Sequence, residues 1–323
     1  MSASRVFLGV DGGGTKTEFV CIDDDGRERA AIKIGATYHP EIGLAEVLHR
    51  LHQGLAAACA AVGVVPADLA YAFFGLPAFG EDRVIDPQLN AACGAMLGHG
   101  RYRCDNDMVC GWAGSLACED GINIVAGTGS IGYGQHRGRA ARSGGWGEVF
   151  GDEGSAYWIA LRGLTLFSRM SDGRSSKGPL HAKFVTHIGL EHDIDLCQRV
   201  MGPPAMSRMD IAGLAPLVVA AADEGDVQAM AILDRAAEHL AAIAGAIRAD
   251  LGFAAAEAVP LSWSGSILTN ATRVRSRFVE IVTTGGFHSV TPRTRAAHGA
   301  ALYARKLATG LVRPSALAAR QPN

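Results

Sequence analysis

Apolar and polar positions alternate in three short runs near the start of the chain: RVFLGV from Arg5, KTEFVCI from Lys16 and RERAAIKI from Arg27. Each run reads as a strand. The Asp25-Gly26 pair before the third run is a strong hairpin signal, so the three predict an antiparallel meander. From Ile42 to Val62 the spacing becomes helical, with Leu44, Val47, Leu48, Leu51 and Leu55 on one face. LAYAFFGL then reads as a buried strand, DPQLNAACGAML as a helix, and RYRCD as a short strand running into a helix from Asp107 to Cys118.

A second run starts in the same way at INIVAGTGSIGYGQH, where two apolar segments flank a turn holding Gly127, Thr128 and Gly129. Both halves thus share a plan of strand, glycine with threonine, strand. After Trp146 the pattern is mostly helical: Glu153 to Phe167, Ile211 to Ala222, and an Ala-rich stretch from Val227 to Asp250. The strand VPLSWSG, a helix from Asn270 to Val282 and a closing helix from Pro292 to Leu307 follow, with Pro292 suited to a first helical turn.

The 323 residues exceed one typical core and suit two domains, which implies a cleft between them. Hydrophobic residues at 48% and charged residues at 19% describe a globular chain able to bury a large core. A formal net charge of −2 offers no footprint for nucleic acid. Apolar stretches such as LAAACAAVGVV are too short to span a bilayer, and the first residues lack a signal-peptide pattern, so a cytoplasmic protein is expected. The seven cysteines form no CxxC pair and no zinc spacing, which leaves them as reduced thiols packed like small hydrophobes.

Three readings compete for the glycine loops. A P-loop needs GxxxxGK[ST] opening a helix, whereas GVDGGGTK from Gly9 has threonine in the lysine position and runs into a strand. GTGSIG from Gly127 satisfies GxGxxG, but no helix pattern opens there, and Asp152 begins a helix instead of ending a strand. The third reading is a pair of hairpin turns whose backbone N–H groups and threonine hydroxyls hold a polyphosphate.

GVDGGGTKTEF from Gly9, DND from Asp105, AGTGS from Ala126, GGWGEVFGDEGSAYWIA from Gly144 and SGS from Ser264 stand in the order found in N-acetylglucosamine kinases. The chain resembles that family from about Gly9 to Ala304. Those kinases sit within the ATPase family that also holds bacterial glucosamine kinases and the activators of benzoyl-CoA reductase. The resemblance implies an α/β fold of two ribonuclease H-like, actin-like ATPase domains with ATP and sugar in the cleft. The N-terminal domain would span 1–118, joined by the C-terminal helix 292–308, and the second would span 119–291 with extra helices.

By the same resemblance, Asp11 would hold Mg²⁺ through water. Gly12, Gly13, Gly14, Thr15 and Lys16, with Gly127, Thr128, Gly129 and Ser130, would cradle the phosphates of ATP. Gly265, Ser266 and Thr269 would line the adenine. Asp107 matches the catalytic aspartate, and an aspartate opening a helix after a strand is well placed to take a proton from an attacking hydroxyl. The competing reading of Asp107 is a plain helix cap. Asn106, Gly145, Trp146, Gly147 and Asp152 would meet the sugar, with Thr37 and His39 beside them. A lone Trp is otherwise more often core.

One departure bears on the substrate. The family usually places Asn in the loop after the third strand, where GATYHPEIG offers Thr37, Tyr38 and His39. N-acetylglucosamine phosphorylated at its 6-hydroxyl is the expected substrate, with glucosamine or another hexosamine as the alternative. A reductase activator would carry a cysteine directly before the second glycine loop, where this chain has NIVAGTGS. A sugar-binding regulator would carry a helix-turn-helix domain before the first strand, where it has MSAS. The CxCGxxGC motif of the other kinase family acting on this sugar is absent from the sequence. The section from Met170 to Met209 is left to hold specificity or homodimer contacts.

Overall fold

The computed structural model describes residues 5–310. The three opening runs are β1 (Phe7–Asp11), β2 (Lys16–Ile22) and β3 (Glu28–Gly35), paired antiparallel in sequence order. At the Asp-Gly turn the Asp23 carboxylate accepts the N–H groups of Asp25 and Arg27 at 3.0 and 2.9 Å, and Gly26 takes a φ of 82°. The expected first helix is two, α1 (His39–Ile42) and α2 (Leu44–Val62), because Gly43 between them takes φ 78° and ψ 155°. β4 (Tyr71–Leu76), α3 (Ile85–Leu97), β5 (Tyr102–Asn106) and α4 (Met108–Leu116) follow. β4 pairs parallel with β1, and β5 parallel with β4, which brings the carboxyl ends of three strands together at Asp11, Gly75 and Asp105.

The second half opens with β6 (Gly121–Ala126), β7 (Ser130–His136) and β8 (Arg139–Gly144), the last of which the sequence pattern leaves unread. Its helices are α5 (Ala156–Ser171), α6 (Pro179–Ile188), α7 (Leu196–Met201), α8 (Arg208–Ala212), α9 (Ala215–Asp223) and α10 (Val227–Leu251). β9 (Val259–Ser264), α11 (Ser266–Asn270), α12 (Thr272–Thr284), the short β10 (Phe287–Ser289) and α13 (Ala296–Ala308) complete the chain. There are two five-stranded sheets, ordered β3-β2-β1-β4-β5 and β8-β7-β6-β9-β10. Counted in each sheet's own strands, the order 3-2-1-4-5 occurs twice, and the fold is the α/β class expected.

The described residues divide into two compact units. Residues 5–123, 133–141 and 290–310 form the first, and residues 124–132 with 142–289 form the second. In the first unit, strand period sorts the core by face. Leu8, Val10, Phe19 and Phe74 pack with Val47, Leu51 and Leu55 of α2 and Leu89 and Leu97 of α3. On the other face Phe73 meets Tyr303 of α13 edge-on, and Tyr303 in turn meets Trp112 of α4. Tyr133 and Gln135 join this cluster, Gln135 donating to the hydroxyls of Tyr133 and Tyr303 at 2.7 and 3.3 Å, so residues 133–141 belong with the first unit.

α13 begins four residues later than Pro292. The N–H groups of Arg293 and Thr294 donate to Ser115 and Gly114 carbonyls at 3.1 and 3.0 Å, so this segment is held against the end of α4 and stays out of the helix. The helix then lies backbone to backbone on its neighbours. A Cβ added at Gly9 would stand 2.0 Å from the Ala301 nitrogen, and one at Gly299 would stand 2.0 Å from the Gly114 nitrogen.

In the second unit the long α10 is capped by Asp226, whose carboxylate accepts from Gln228 and Ala229 N–H at 3.1 Å each. The same side chain accepts the Leu180 N–H of α6 at 3.1 Å, so one buried carboxylate joins two helices. Among the described residues no helix is long and apolar enough to cross a membrane.

Gly9→Ala is expected to cost about 3 kcal/mol, since a methyl group there must push β1 off α13. Gly100→Ala, where nothing lies within 4 Å, should leave stability nearly unchanged. Thermal melts of the two variants beside the parent check the pair.

Candidate active site

Two carboxylates meet at the carboxyl end of the first unit's parallel strands. Asp11 ends β1, and Asp107 opens α4 just beyond β5. Between them runs Gly75 of β4, where an added Cβ would lie 2.2 Å from Cys110 Sγ and 3.3 Å from both the Asp107 Cα and the Val10 carbonyl oxygen. Burial, followed by the negative charge of Asp107, pushes the Asp11 carboxyl up to about 7, against a partial lowering by the Cys110 thiol that donates to it. Cys110 also donates to the Val10 carbonyl at 3.5 Å, and burial beside the two carboxylates drives its own thiol far up.

The cap reading of Asp107 does not hold. Its side chain makes no cap hydrogen bond, and the first amide of α4, at Met108, donates to the Asn106 side chain at 3.2 Å. Asn106 spends its other end on the Phe79 carbonyl at 3.1 Å, so it sets the start of the helix and holds the loop after β4. Asp107 itself is half-buried.

The first glycine loop is seated by its own backbone. Gly12 N–H donates to the Gly75 carbonyl at 2.8 Å, and Gly13 carbonyl accepts the Thr37 N–H at 3.1 Å. None of Gly12, Gly13 and Gly14 takes a left-handed φ, so space matters here and not backbone freedom. A side chain at Gly12 would meet Pro77 and Thr37 at 2.8 Å, while nothing lies within 4 Å of one at Gly14. Gly14, Thr15 and Lys16 form the exposed tip. Thr37 stands buried behind the loop, its hydroxyl 2.8 Å from that of Thr17. His39 opens α1 with a buried Nδ1 that has no hydrogen-bond partner.

In the second unit the turn Gly127–Gly129 leads from β6 into β7, so the chain leaves it as a strand and the dinucleotide reading fails on structure as it does on sequence. Gly127 N–H closes on the Gly129 carbonyl at 2.9 Å, and the Gly127 carbonyl accepts the Ala156 N–H that begins α5 at 2.8 Å. Ser130 donates its hydroxyl to the Glu153 carbonyl at 2.8 Å and its N–H to Asp152 Oδ1 at 3.3 Å. Asp152, only 3% exposed and at φ 55°, accepts Arg208 Nη2 on its other oxygen at 2.5 Å. Burial raises its carboxyl, and Arg208 works against that rise.

Beside this turn lies a cavity of 460 Å³, walled by Thr128, Met209, Gly213, Pro216, Ser266 and Asn270 among others. Gly265 directly precedes Ser266 of its wall. A Cβ there would stand 2.3 Å from the Ala126 carbonyl oxygen, and its φ of 93° suits glycine alone. Thr269 is turned away, its hydroxyl donating back to the Gly265 carbonyl at 2.8 Å. Gly145 N–H donates to the Ser130 carbonyl at 2.9 Å, which ties the GGWG segment to the turn. Trp146 is 72% exposed, which removes the reading that it is core.

Sequence reasoning missed Cys110, Arg208 and Met209. The first carried only the signal of an apolar helix position, and the other two lie where the pattern between Met170 and Met209 is hardest to read.

The sequence model of the BadF/BadG/BcrA/BcrD ATPase family matches residues 8–304, nearly the whole chain. The chain belongs to the BadF/BadG/BcrA/BcrD ATPase family. Membership implies that this ATPase-family protein uses ATP. Among curated relatives, the N-acetylmuramic acid/N-acetylglucosamine kinase of Clostridium acetobutylicum is 29% identical over 238 residues, covering 73% of this chain and 77% of the relative. The N-acetyl-D-glucosamine kinase of Dictyostelium discoideum is 29% identical over 272 residues, covering 81% and 85%. A solved protein of Chromobacterium violaceum, provisionally named an N-acetylglucosamine kinase, superposes with a TM-score of 0.71 at 26% identity, covering 93% of this chain and 99% of that one. The ROK hexokinase of Thermus thermophilus shares the fold at a TM-score of 0.63 and 15% identity, covering 95% and 100%.

The raised Asp11 carboxyl has a defined consequence for stability. A carboxyl whose folded value lies above its unfolded one binds more protons in the folded state, so stability falls as pH rises from the usual carboxylate range through about 7. Asp11→Asn removes that loss. The variant should melt higher than the parent at pH 8 and about equally at pH 4, as thermal scans at the two pH values will show.

Proposed function

We propose that this protein is an ATP-dependent amino-sugar kinase that phosphorylates N-acetylglucosamine at its 6-hydroxyl, giving N-acetylglucosamine 6-phosphate and ADP. The observation that carries the reading is Asp107, set past a parallel strand beside Asp11, with the capping work of its helix given to Asn106. The names of two relatives at 29% identity support the substrate class.

Asp107 takes the proton of the sugar hydroxyl as that oxygen bonds to the γ-phosphorus. The bond from phosphorus to the β-phosphate oxygen breaks, and ADP leaves. Asp11 fits a divalent cation, because a buried carboxylate raised by burial and by a neighbouring carboxylate gains most from a positive charge. Bound to ATP, Mg²⁺ would neutralise phosphate charge, with Asp11 holding it through water.

In the first unit, Gly14, Thr15 and Lys16 offer exposed backbone and an ammonium to phosphate, on a loop seated by Gly12 and Gly13. In the second, Gly127 and Ser130 amides serve the fold, which leaves Thr128 and Gly129 for an anion. Ser266 and the cavity take the nucleoside, with Gly265 directly before Ser266 and Thr269 bracing that glycine. In the second unit Gly145, Trp146, Gly147 and Asp152 serve the sugar, while in the first Asn106 acts from behind by setting the start of the helix that Asp107 opens. Thr37 acts from behind the first loop, and the unpartnered Nδ1 of His39 stands where the family's Asn is missing. That substitution keeps glucosamine as the second substrate reading.

A coupled ADP assay on N-acetylglucosamine, glucosamine, N-acetylmuramic acid and glucose tests the substrate. N-acetylglucosamine should give the highest kcat/KM, and absence of turnover on every amino sugar would sink the proposal. Asp107→Asn should lower kcat roughly 10³-fold while ADP binding is retained. Near-parent turnover would remove Asp107 from the role.

A further inference from the structure

Arg208 belongs to the short helix α8, in the part of the chain whose sequence pattern is least informative. Ser207 and Asp210 fix the start of that helix by a reciprocal cap. The Asp210 N–H donates to Ser207 Oγ at 3.1 Å, and the Ser207 N–H donates to the Asp210 carboxylate at 2.9 Å. Two adjacent side chains then leave this fixed turn for one place. Met209 lines the 460 Å³ cavity and takes the Thr128 hydroxyl on its sulfur at 3.5 Å. Arg208 lies over the Gly129 backbone, close enough that an added Cβ there would stand 2.7 Å from Nη2.

The guanidinium is only partly used. Nη2 donates to Asp152 at 2.5 Å, whereas Nε lies 3.4 Å from Glu148 and is buried without a hydrogen-bond partner. A planar cation with donors to spare, resting on a turn that offers backbone amides, has the chemistry of a phosphate site.

We propose that Arg208 is a phosphate-binding residue of the second unit. It keeps one edge on Asp152 and gives its remaining donors to the phosphate chain of a nucleotide whose nucleoside fills the neighbouring cavity beside Met209. The inference rests on the reading of Gly127–Ser130 and this cavity as the nucleotide site, and it adds the cation that reading lacks in this unit. α8 thus addresses both halves of the nucleotide through consecutive residues. The Asp152 contact orients the guanidinium, while Glu148, an ion-pair partner 3.4 Å from Nε that lacks hydrogen-bond geometry, yields to phosphate.

The test compares adenosine with ADP. Equilibrium binding of both is measured by calorimetry for the parent, Arg208→Gln and Arg208→Lys. Arg208→Gln should weaken ADP about tenfold and leave adenosine within about twofold. Arg208→Lys, which keeps the charge and loses the fork, should weaken ADP by less, with a steeper dependence on salt. Equal weakening of adenosine and ADP would overturn the proposal, because Arg208 would then merely hold α8 in place. Unchanged ADP affinity with a raised KM for the sugar would also overturn it, assigning Arg208 to Asp152 alone. Should Arg208→Gln fail to fold, parent-like ADP binding by Arg208→Lys at every salt concentration does the same. A parent protein that binds no ADP would bring down the kinase reading itself, a result distinct from a variant that binds ADP as the parent does.

Discussion

The first unit depends on a position with no room for a side chain. Gly75 lets Cys110 of α4 come down on β4, and with it the Asp107 backbone reaches the level of Val10 and Asp11. Two carboxylates are thereby held against their mutual repulsion, one of them largely out of water. That arrangement is unfavourable for folding and favourable for meeting a cation and a hydroxyl, the usual conflict at a site built for chemistry. The close seating of α13 on Gly9, and of Gly299 on Gly114, supplies packing around the strained corner. Cys110 gains a role that its sequence context does not suggest, since its thiol is the donor that partly steadies Asp11.

The second unit solves a different problem with a buried carboxylate. Asp152 ties the Ser130 amide to the Arg208 guanidinium, and α5 begins by closing on the carbonyl of Gly127. The turn is therefore held by neighbours in its own unit. Small residues at Ala212, Gly213 and Ala215 keep α8 and α9 from filling the space beside it. Asp152 thus connects the Ser130 amide, at the end of the turn, with Arg208, the residue proposed to bind phosphate.

Legibility followed the range of the interactions. The meander, the Asp-Gly turn, the parallel strands and the long Ala-rich helix were all readable, because alternation and helical spacing are local consequences of one buried face. β8 and β10 were not. The β8 segment RAARSG has no alternation of apolar and polar residues, and β10 is only three residues long. Pro292 misled for a related reason. It suits a helix start, but the amides after it are taken by carbonyls of α4, nearly two hundred residues earlier in the chain. Of the site, the glycine turns, Asp11, Asp107 and the GGWG segment were legible as motifs.

The sequence by itself determined the repeated strand–turn–strand plan, the exclusion of P-loop and dinucleotide loops, and the order of motifs that marks the family. These depend on residue type and spacing alone. Tertiary structure decided which polar groups are consumed by the fold. It gave capping to Asn106, burial and a partner to Thr37, a bond back onto the Gly265 carbonyl to Thr269, and a place over the Gly129 backbone to Arg208. Hydrogen bonds between distant segments and burial of charge settle such assignments, and neither has a signature in local sequence pattern.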